Sequence, residues 1–246
     1  MRFSYLSDTV RYKKISEDAK KGVFEIEGLY AGYGLTIGNS LRRALLSSLP
    51  GAAVTMIKIK GVPHEFTTVD GVKEDMVEVS MNFKKLRFKC HSEEPVILTL
   101  DVKGEKVVTG ADIEMPSEVE LLNPEEVLMT LTDKKAHLEM EIKVERGLGY
   151  WPVEKRESEK LPVGAIALDA VFSPVQKVNY TVENMRVGDR TDYNRVRLEI
   201  ETDGTISPSA ALHKASKILK DHFEKVEEIE VTEFEVPSKK GGKKSK

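Results

Sequence analysis

Side chains that could do chemistry near neutral pH are few in this chain. There are five histidines, His64, His91, His137, His213 and His222, and a single cysteine, Cys90. No two histidines flank a carboxylate at the i,i+4 spacing of a zinc-binding helix, and there is neither a Cys-x-x-Cys pair nor a phosphate-binding P-loop. His213 and His222 lie nine residues apart on a predicted helix, on roughly opposite sides, and cannot chelate one metal. We expect His213 at the surface and His222 in a packed seam. The acidic pairs Glu93-Glu94 and Glu227-Glu228 read as solvated charge. No catalytic residue, metal site or cofactor of its own is expected for this chain.

One stretch has a cofactor reading. Gly32-Tyr-Gly34-Leu-Thr-Ile-Gly38 follows a predicted strand and opens a helix, the setting of a dinucleotide-binding turn. Its glycines are one residue further apart than the usual fingerprint. Where an acid should hold the ribose, about twenty residues on, stands Met56-Ile-Lys-Ile-Lys. Those lysines oppose an NAD site but leave an NADP-dependent oxidoreductase as the alternative function.

The helix itself is more informative. Asn39 or Ser40 can cap it, Pro50-Gly51 stops it, and Leu41, Ala44, Leu45, Ser48 and Leu49 fall on one stripe at about 100° per residue. Leu46 lies outside the stripe, between Arg42 and Arg43. The arginines could form a solvated face, a phosphate site or a protein interface. Two arginines on a chain of net charge −3 are a weak footprint for nucleic acid. Arginine forks beside an aliphatic side chain are the composition of an interface core, and Leu46 favours that reading.

Length and composition bound the rest. The chain has 246 residues, enough for one large domain or two small ones, and is 40% hydrophobic and 32% charged. No apolar run approaches the ~20 residues that span a bilayer, and the start lacks the apolar core of a signal peptide. One cysteine suits a reducing cytoplasm. No membrane partner is expected.

In chain order, the first twenty residues read as an extended arm or edge strand, and Phe24-Glu-Ile-Glu as a half-buried strand. Val54 to Lys60 is β-branched and bounded by glycines, a second strand. Val72 to Phe83 fits both a helical and a strand face. Leu86–Cys90 and Pro95–Val102 read as strands. Ala136–Val144 alternates cleanly, with Leu138, Met140, Ile142 and Val144 inward. Arg146–Pro152 reads as a loop, Glu154–Lys160 as a solvated excursion, and Gly164–Phe172, Val175–Val182 and Val196–Thr202 as strands. Ser207-Pro208 caps a helix running to about Glu228, with Leu212, Ala215, Leu219, His222 and Val226 on one stripe that Ile218 and Phe223 widen. The tail from Pro237 is lysine-rich and is expected to be disordered.

Gly32-Tyr-Gly-Leu-Thr-Ile-Gly-Asn-Ser-Leu-Arg-Arg-Ala-Leu-Leu-Ser-Ser-Leu-Pro-Gly51 resembles the signature helix of the alpha-subunit family of bacterial RNA polymerase. Gly61-Val-Pro-His-Glu-Phe, Gly71-Val-Lys-Glu-Asp-Met, Val144-Glu-Arg-Gly-Leu-Gly-Tyr, Asp169-Ala-Val-Phe-Ser-Pro-Val, Arg190-Thr-Asp and Glu201-Thr-Asp-Gly-Thr-Ile resemble it too, in the family's order. The resemblance runs from about Tyr30 to Phe223, and it favours helix for Val72–Phe83.

What the resemblance implies is specific. The fold is α+β: a discontinuous dimerisation domain, residues 1–50 and 174–236, with a sheet and two helices, and an inserted mostly-β domain, 51–173, followed by the disordered tail 237–246. The function is that of a homodimeric scaffold in the cytoplasm, associated with the nucleoid, which nucleates assembly of the polymerase, a nucleotidyltransferase complex. Arg43, Leu46 and His64 match positions at the beta-subunit contact. Lys84, Leu168 and Val175 match positions facing beta-prime. Leu41, Leu45, Leu212, Leu219 and Phe223 are the apolar contributors to the dimer. Family members usually continue into a small helical domain that touches promoter DNA. This chain ends in the lysine tail, which leaves its DNA contact open beyond a weak, salt-sensitive attraction.

Overall fold

A computed structural model of the chain describes residues 8–156 and 162–231. The first seven residues, the 157–161 part of the charged run and the lysine-rich tail lie outside the described residues.

The chain opens with an antiparallel hairpin, β1 (Arg11–Glu17) and β2 (Lys21–Leu29), and passes into helix α1 (Tyr33–Ser47). A long middle follows: β3 (Pro50–Ile59), α2 (Met76–Phe83), β4 (Phe88–Cys90), β5 (Val96–Lys103), β6 (Lys106–Thr109), β7 (Val119–Leu121), β8 (Val127–Leu131), β9 (His137–Leu148), β10 (Tyr150–Trp151), β11 (Ala165–Ala167) and β12 (Ala170–Val171). The chain then returns with a second long hairpin, β13 (Val175–Val187) and β14 (Arg190–Thr202), and ends in α3 (Pro208–Glu227).

The two hairpins join through β2 and β14 into one sheet of order β1-β2-β14-β13, although their strands are some 170 residues apart in sequence. Alternation explains their inner face. Val196, Leu198 and Ile200 on β14 and Phe24 on β2 are buried, and α1 and α3 cover them with Leu41, Ala44, Leu45, Leu49, Ala211, Leu212 and Ala215. The middle strands make a separate sheet of order β5-β9-β3-β4-β7, with β11 on β3. On β9 the inward set Leu138, Met140, Ile142 and Val144 is buried; each such side chain contributes about 1.5–3 kcal/mol by leaving water. With α2 and β8 they form a second core that includes Phe83, Phe88 and Leu128. The architecture is thus mixed α+β, with helices gathered on one face of an antiparallel sheet.

The crossings between the two cores run side by side. A Cβ on Gly51 would stand 1.9 Å from the carbonyl oxygen of Phe172, so only glycine lets β3 leave past the returning chain. Phe172 itself is buried with Ala53 and Ala170 in a small third cluster.

Several expectations need correction. The helix after the glycine turn starts at Tyr33, not at Asn39 or Ser40. Arg146–Trp151, read as a loop, continues β9 and then forms β10, which pairs with β12. Gly164–Phe172, read as one strand, is two short ones that serve different partners, β11 on β3 and β12 on β10. His222 is exposed, not in a packed seam: α3 has left its own core by that point, and the ring satisfies Nδ1 on the carbonyl of Ile218 at 2.7 Å.

The start of α3 is pinned from two directions. Ser207 Oγ accepts from the amide of Ala210 at 3.4 Å, and Glu17 on β1 accepts from the amide of Ser209 at 2.8 Å. Hydrogen bonds from Ser209 hold the Glu17 carboxyl below its ordinary 4.5; burial opposes this, and Lys14 at 3.0 Å adds to it. A depressed folded-state pKa stabilises the fold above the unfolded value, and the contribution is lost as the pH falls through the folded one. Glu17→Gln is therefore expected to lower stability by about 0.5–1 kcal/mol at pH 7. The difference should vanish below the carboxylate range. Urea melts at both pH values check it; a pH-independent difference would contradict it.

Candidate protein interfaces

Helix α1 turns its apolar stripe inward and leaves a mixed flank outside. Arg42 and Arg43 are exposed, and Leu46 is half-buried against the edge of the core. The two arginines have different surroundings. Arg42 Nε donates to the carbonyl of Val178 at 3.4 Å, and so caps a main-chain acceptor on β13, the last strand of its sheet. Arg43 has no hydrogen-bond or ion-pair partner for its side chain among the described residues. A free guanidinium beside a half-buried leucine is an arrangement that a partner's carboxylate and apolar surface can complete.

Helix α3 separates into two halves. Its first half packs Pro208, Ala211, Leu212 and Ala215 into the core, and Ile218 and Leu219 are half-buried at the core's margin. From Lys220 to the end every residue is exposed, including Phe223 at 67% and Val226 at 66%. Ile229 and Val231 extend the apolar run. Phe223 and Val226 on the outer half of the helix, with Ile229 and Val231 just beyond its end, form an unpartnered apolar seam.

The expected dimer set divides by its burial in the single chain. Leu45 is fully enclosed, and Leu41 and Leu212 nearly so, by the chain's own sheet and helices. In the single chain these three mainly fill the first core. Leu219 and Phe223 remain on the accessible half. Leu168 and Val175, expected to face beta-prime, are likewise interior: 3% and 4% exposed, in the second and first core respectively.

Lys84 is brought to the Leu168 segment by an ion pair. Its Nζ lies 3.0 Å from Asp169 Oδ2, and the other carboxylate oxygen of Asp169 accepts from the amide of Val153 at 3.0 Å. That amide and Lys84 together hold the Asp169 carboxyl below its usual range against the opposing effect of burial. Beside the pair, Tyr150 and Val171 face each other across β10 and β12, 60% and 57% exposed, and line a shallow depression with Lys84 and Asp169. Tyr150 and Val171 were not singled out from the sequence; the aromatic pair Tyr150-Trp151 directly after Gly149 was the available signal. His64 sits apart in the loop after β3, exposed, with Nδ1 3.0 Å from the Thr67 hydroxyl and the largely exposed Phe66 nearby in sequence.

The glycine turn is not built as a phosphate cradle. Gly32 takes a positive φ of 88° and starts α1, while Gly34 and Gly38 are inside the helix. A Cβ at Gly34 would lie 2.6 Å from Val182 Cγ1, and one at Gly38 2.6 Å from the Tyr180 ring. The spacing that suggested a nucleotide fingerprint serves close helix–sheet packing. The first amides are also taken: Asn194 Oδ1 accepts from Gly32 N at 2.9 Å and Gly34 N at 3.2 Å. Asn194, 7% exposed, stands at an inward position of β14 ahead of the apolar run Val196, Leu198 and Ile200, a polar exception visible in the sequence. Asn194→Ala leaves those amides unmatched and is expected to cost about 1–3 kcal/mol. Urea denaturation reads it; an unshifted midpoint would contradict the capping role.

Among the described residues no group of three or more His, Cys, Asp or Glu side chains could hold a metal, and no helix is long and apolar enough to cross a membrane. Residues 57–173, most of the second core, match the family described as the RNA polymerase Rpb3/RpoA insert domain. The chain is 52% identical over 206 residues to the DNA-directed RNA polymerase subunit alpha of Moorella thermoacetica, covering 84% of this chain and 66% of that protein. It is 49% identical over 210 residues to the subunit of the same name from Symbiobacterium thermophilum, covering 85% and 66%. The corresponding protein of Roseiflexus castenholzii is 52% identical over 198 residues, covering 80% and 61%. The chain thus spans just under two thirds of the length of these curated relatives. With relatives of this name about half identical over four fifths or more of the chain, the chain belongs to the bacterial RNA polymerase alpha-subunit family.

Proposed function

We propose that this chain is an assembly scaffold of a bacterial RNA polymerase, working in the cytoplasm at the nucleoid. Two copies associate through the outer half of α3 together with α1, in a two-fold contact where each seam covers its counterpart. The first core, 1–50 with 174–236, acts as the dimerisation domain, and 51–173 as the inserted domain. The dimer then offers two copies of each remaining face to unlike partners. The Arg43–Leu46 flank, with the His64 loop, meets the large beta subunit. The Lys84–Asp169 pair with Tyr150 and Val171 meets beta-prime. Nucleotidyl transfer and its metal ions belong to those partners; this chain contributes no catalytic residue and no cofactor. The tail lysines add at most a weak, salt-sensitive attraction to nucleic acid.

The observation that carries the scaffold reading is the seam on α3. A 20-residue helix spans about 30 Å, and this one spends only its first half on its own sheet. Phe223 and Val226 would each return about 1.5–3 kcal/mol on burial, which favours a second copy over solvent. Light scattering of the chain alone tests it. A dimer mass that persists into the low micromolar range is expected, and a monomer at tens of micromolar would refute it.

A further inference from the structure

The cleft where the two cores meet carries charge that neither core uses. It is bounded by the start of β3, by β4 and β9 from the middle sheet, and by α3 with the turn before it. Four basic side chains line it: Lys89 on β4, His91 just after it, Arg146 on β9 and Lys214 on α3. No acidic residue is in the lining described. Lys89 has one loose acidic partner, Glu120 on β7 at 3.9 Å. The side chains of His91, Arg146 and Lys214 make no hydrogen bond or ion pair among the described residues. Asp203, close in sequence to the turn, is spent on Thr205, whose amide and hydroxyl donate to it at 2.9 and 2.6 Å.

This convergence runs against the chain's net charge of −3. Cations gathered in a concavity repel one another, and apolar walls such as Phe88, Pro50 and Ile206 strengthen the field within it. The walls are also fixed. Gly51 is pressed against the Phe172 carbonyl, and the amide of Asp203 donates to the carbonyl of Pro174 at 3.0 Å. The space is about 270 Å³, room for a small ligand and not for a folded partner or a duplex. A guanidinium fork from the sheet and an ammonium from the helix are complementary to phosphate oxygens approached from two sides.

We infer that this cleft binds a small polyanion of the phosphate class, a pyrophosphate group either free or at the end of a nucleotide, held between Arg146 and Lys214 and thereby tying the two cores together. The site is independent of the partner faces and of the dimer seam proposed above.

Calorimetric titration of the full chain at fixed ionic strength tests it, with inorganic pyrophosphate in one arm and ADP in the other. The variants are Arg146→Ala with Lys214→Ala, and, as a charge-matched control, Lys13→Ala with Lys103→Ala. All four positions are exposed, and circular dichroism verifies the fold. Saturable binding of one ligand per chain is expected, at least tenfold weaker in the cleft variant and unchanged in the control. Binding in both arms identifies the diphosphate of a nucleotide as the ligand; binding of pyrophosphate alone identifies the free anion. Absence of saturable binding in both arms, or equal weakening in both variants, overturns the site. So does a cleft that takes only a glutamate-rich peptide.

Discussion

Replacing Leu219 and Phe223 together by glutamate is expected to convert the dimer into a folded monomer. The reason lies in where α3 parts from its own sheet. Phe223 is two-thirds exposed in the single chain, so a charge there stays hydrated and costs the monomer little. In a two-fold seam the same position faces its counterpart, and each copy would bring two carboxylates into an apolar contact. Burying unpaired charge costs several kcal/mol, and each 1.4 kcal/mol or so is tenfold in the dimer's dissociation constant. Leu219 also touches the core's margin. Phe223→Glu alone therefore serves as a second variant that leaves the core intact. Light scattering reports the mass and circular dichroism the fold. A dimer undisturbed by both variants would move the contact to another surface.

Arg43→Ala is expected to leave the dimer unchanged and weaken binding of the beta subunit by about 2–5 kcal/mol, or roughly 30- to 4,000-fold. Arg43 makes no side-chain hydrogen bond or ion pair among the described residues, so stability should hold. What is lost is the guanidinium. Arg43→Lys keeps the charge but not the planar fork and should restore only part of the affinity. Arg42→Ala is the informative neighbour. It uncovers the Val178 carbonyl on β13, and should affect stability or self-association more than partner binding. Equal losses from the two alanine variants would mean that the flank acts only through its charge.

Much of the fold was legible in the residues because its signals are local. The alternation of Leu138, Met140, Ile142 and Val144 on β9 and the Ser207-Pro208 start of α3 need no tertiary information. What escaped was set by distant neighbours. Gly34 and Gly38 look like turn glycines, yet they sit in a helix because Val182 and Tyr180, some 150 residues later, come too close for a Cβ. Glycine's low helix propensity was overridden by packing. Arg146–Trp151 looks like a loop because of its glycines, yet β3 and β12 supply strands for it to pair with.

The candidate sites divide in the same way. Helical spacing placed Leu41, Leu45, Leu212, Leu219 and Phe223 on apolar stripes, but period alone cannot say which half of a stripe finds its cover within the chain. Only the sheet's extent separates Leu45, enclosed, from Phe223, exposed. Leu168 and Val175 were named through likeness to a family and turned out to be interior, whereas Lys84 beside them is accessible and paired with Asp169. Arg43 and Leu46 were read from residue type and angle on one short helix. Arg43 is exposed and Leu46 half-buried at the edge of the core, on the flank that the helical angles gave them, because helix geometry is itself local.

The central claim is that this chain is a dimeric platform whose α1 flank receives a large partner. The most direct measurement is the light-scattering mass of the chain mixed with the beta subunit, for wild type and for Arg43→Ala. The account predicts a wild-type complex of two chains with one beta subunit, and a mutant mixture in which the dimer persists while that complex is lost. A dimer that never takes up beta, or a mutant that binds it as tightly as wild type, would contradict it.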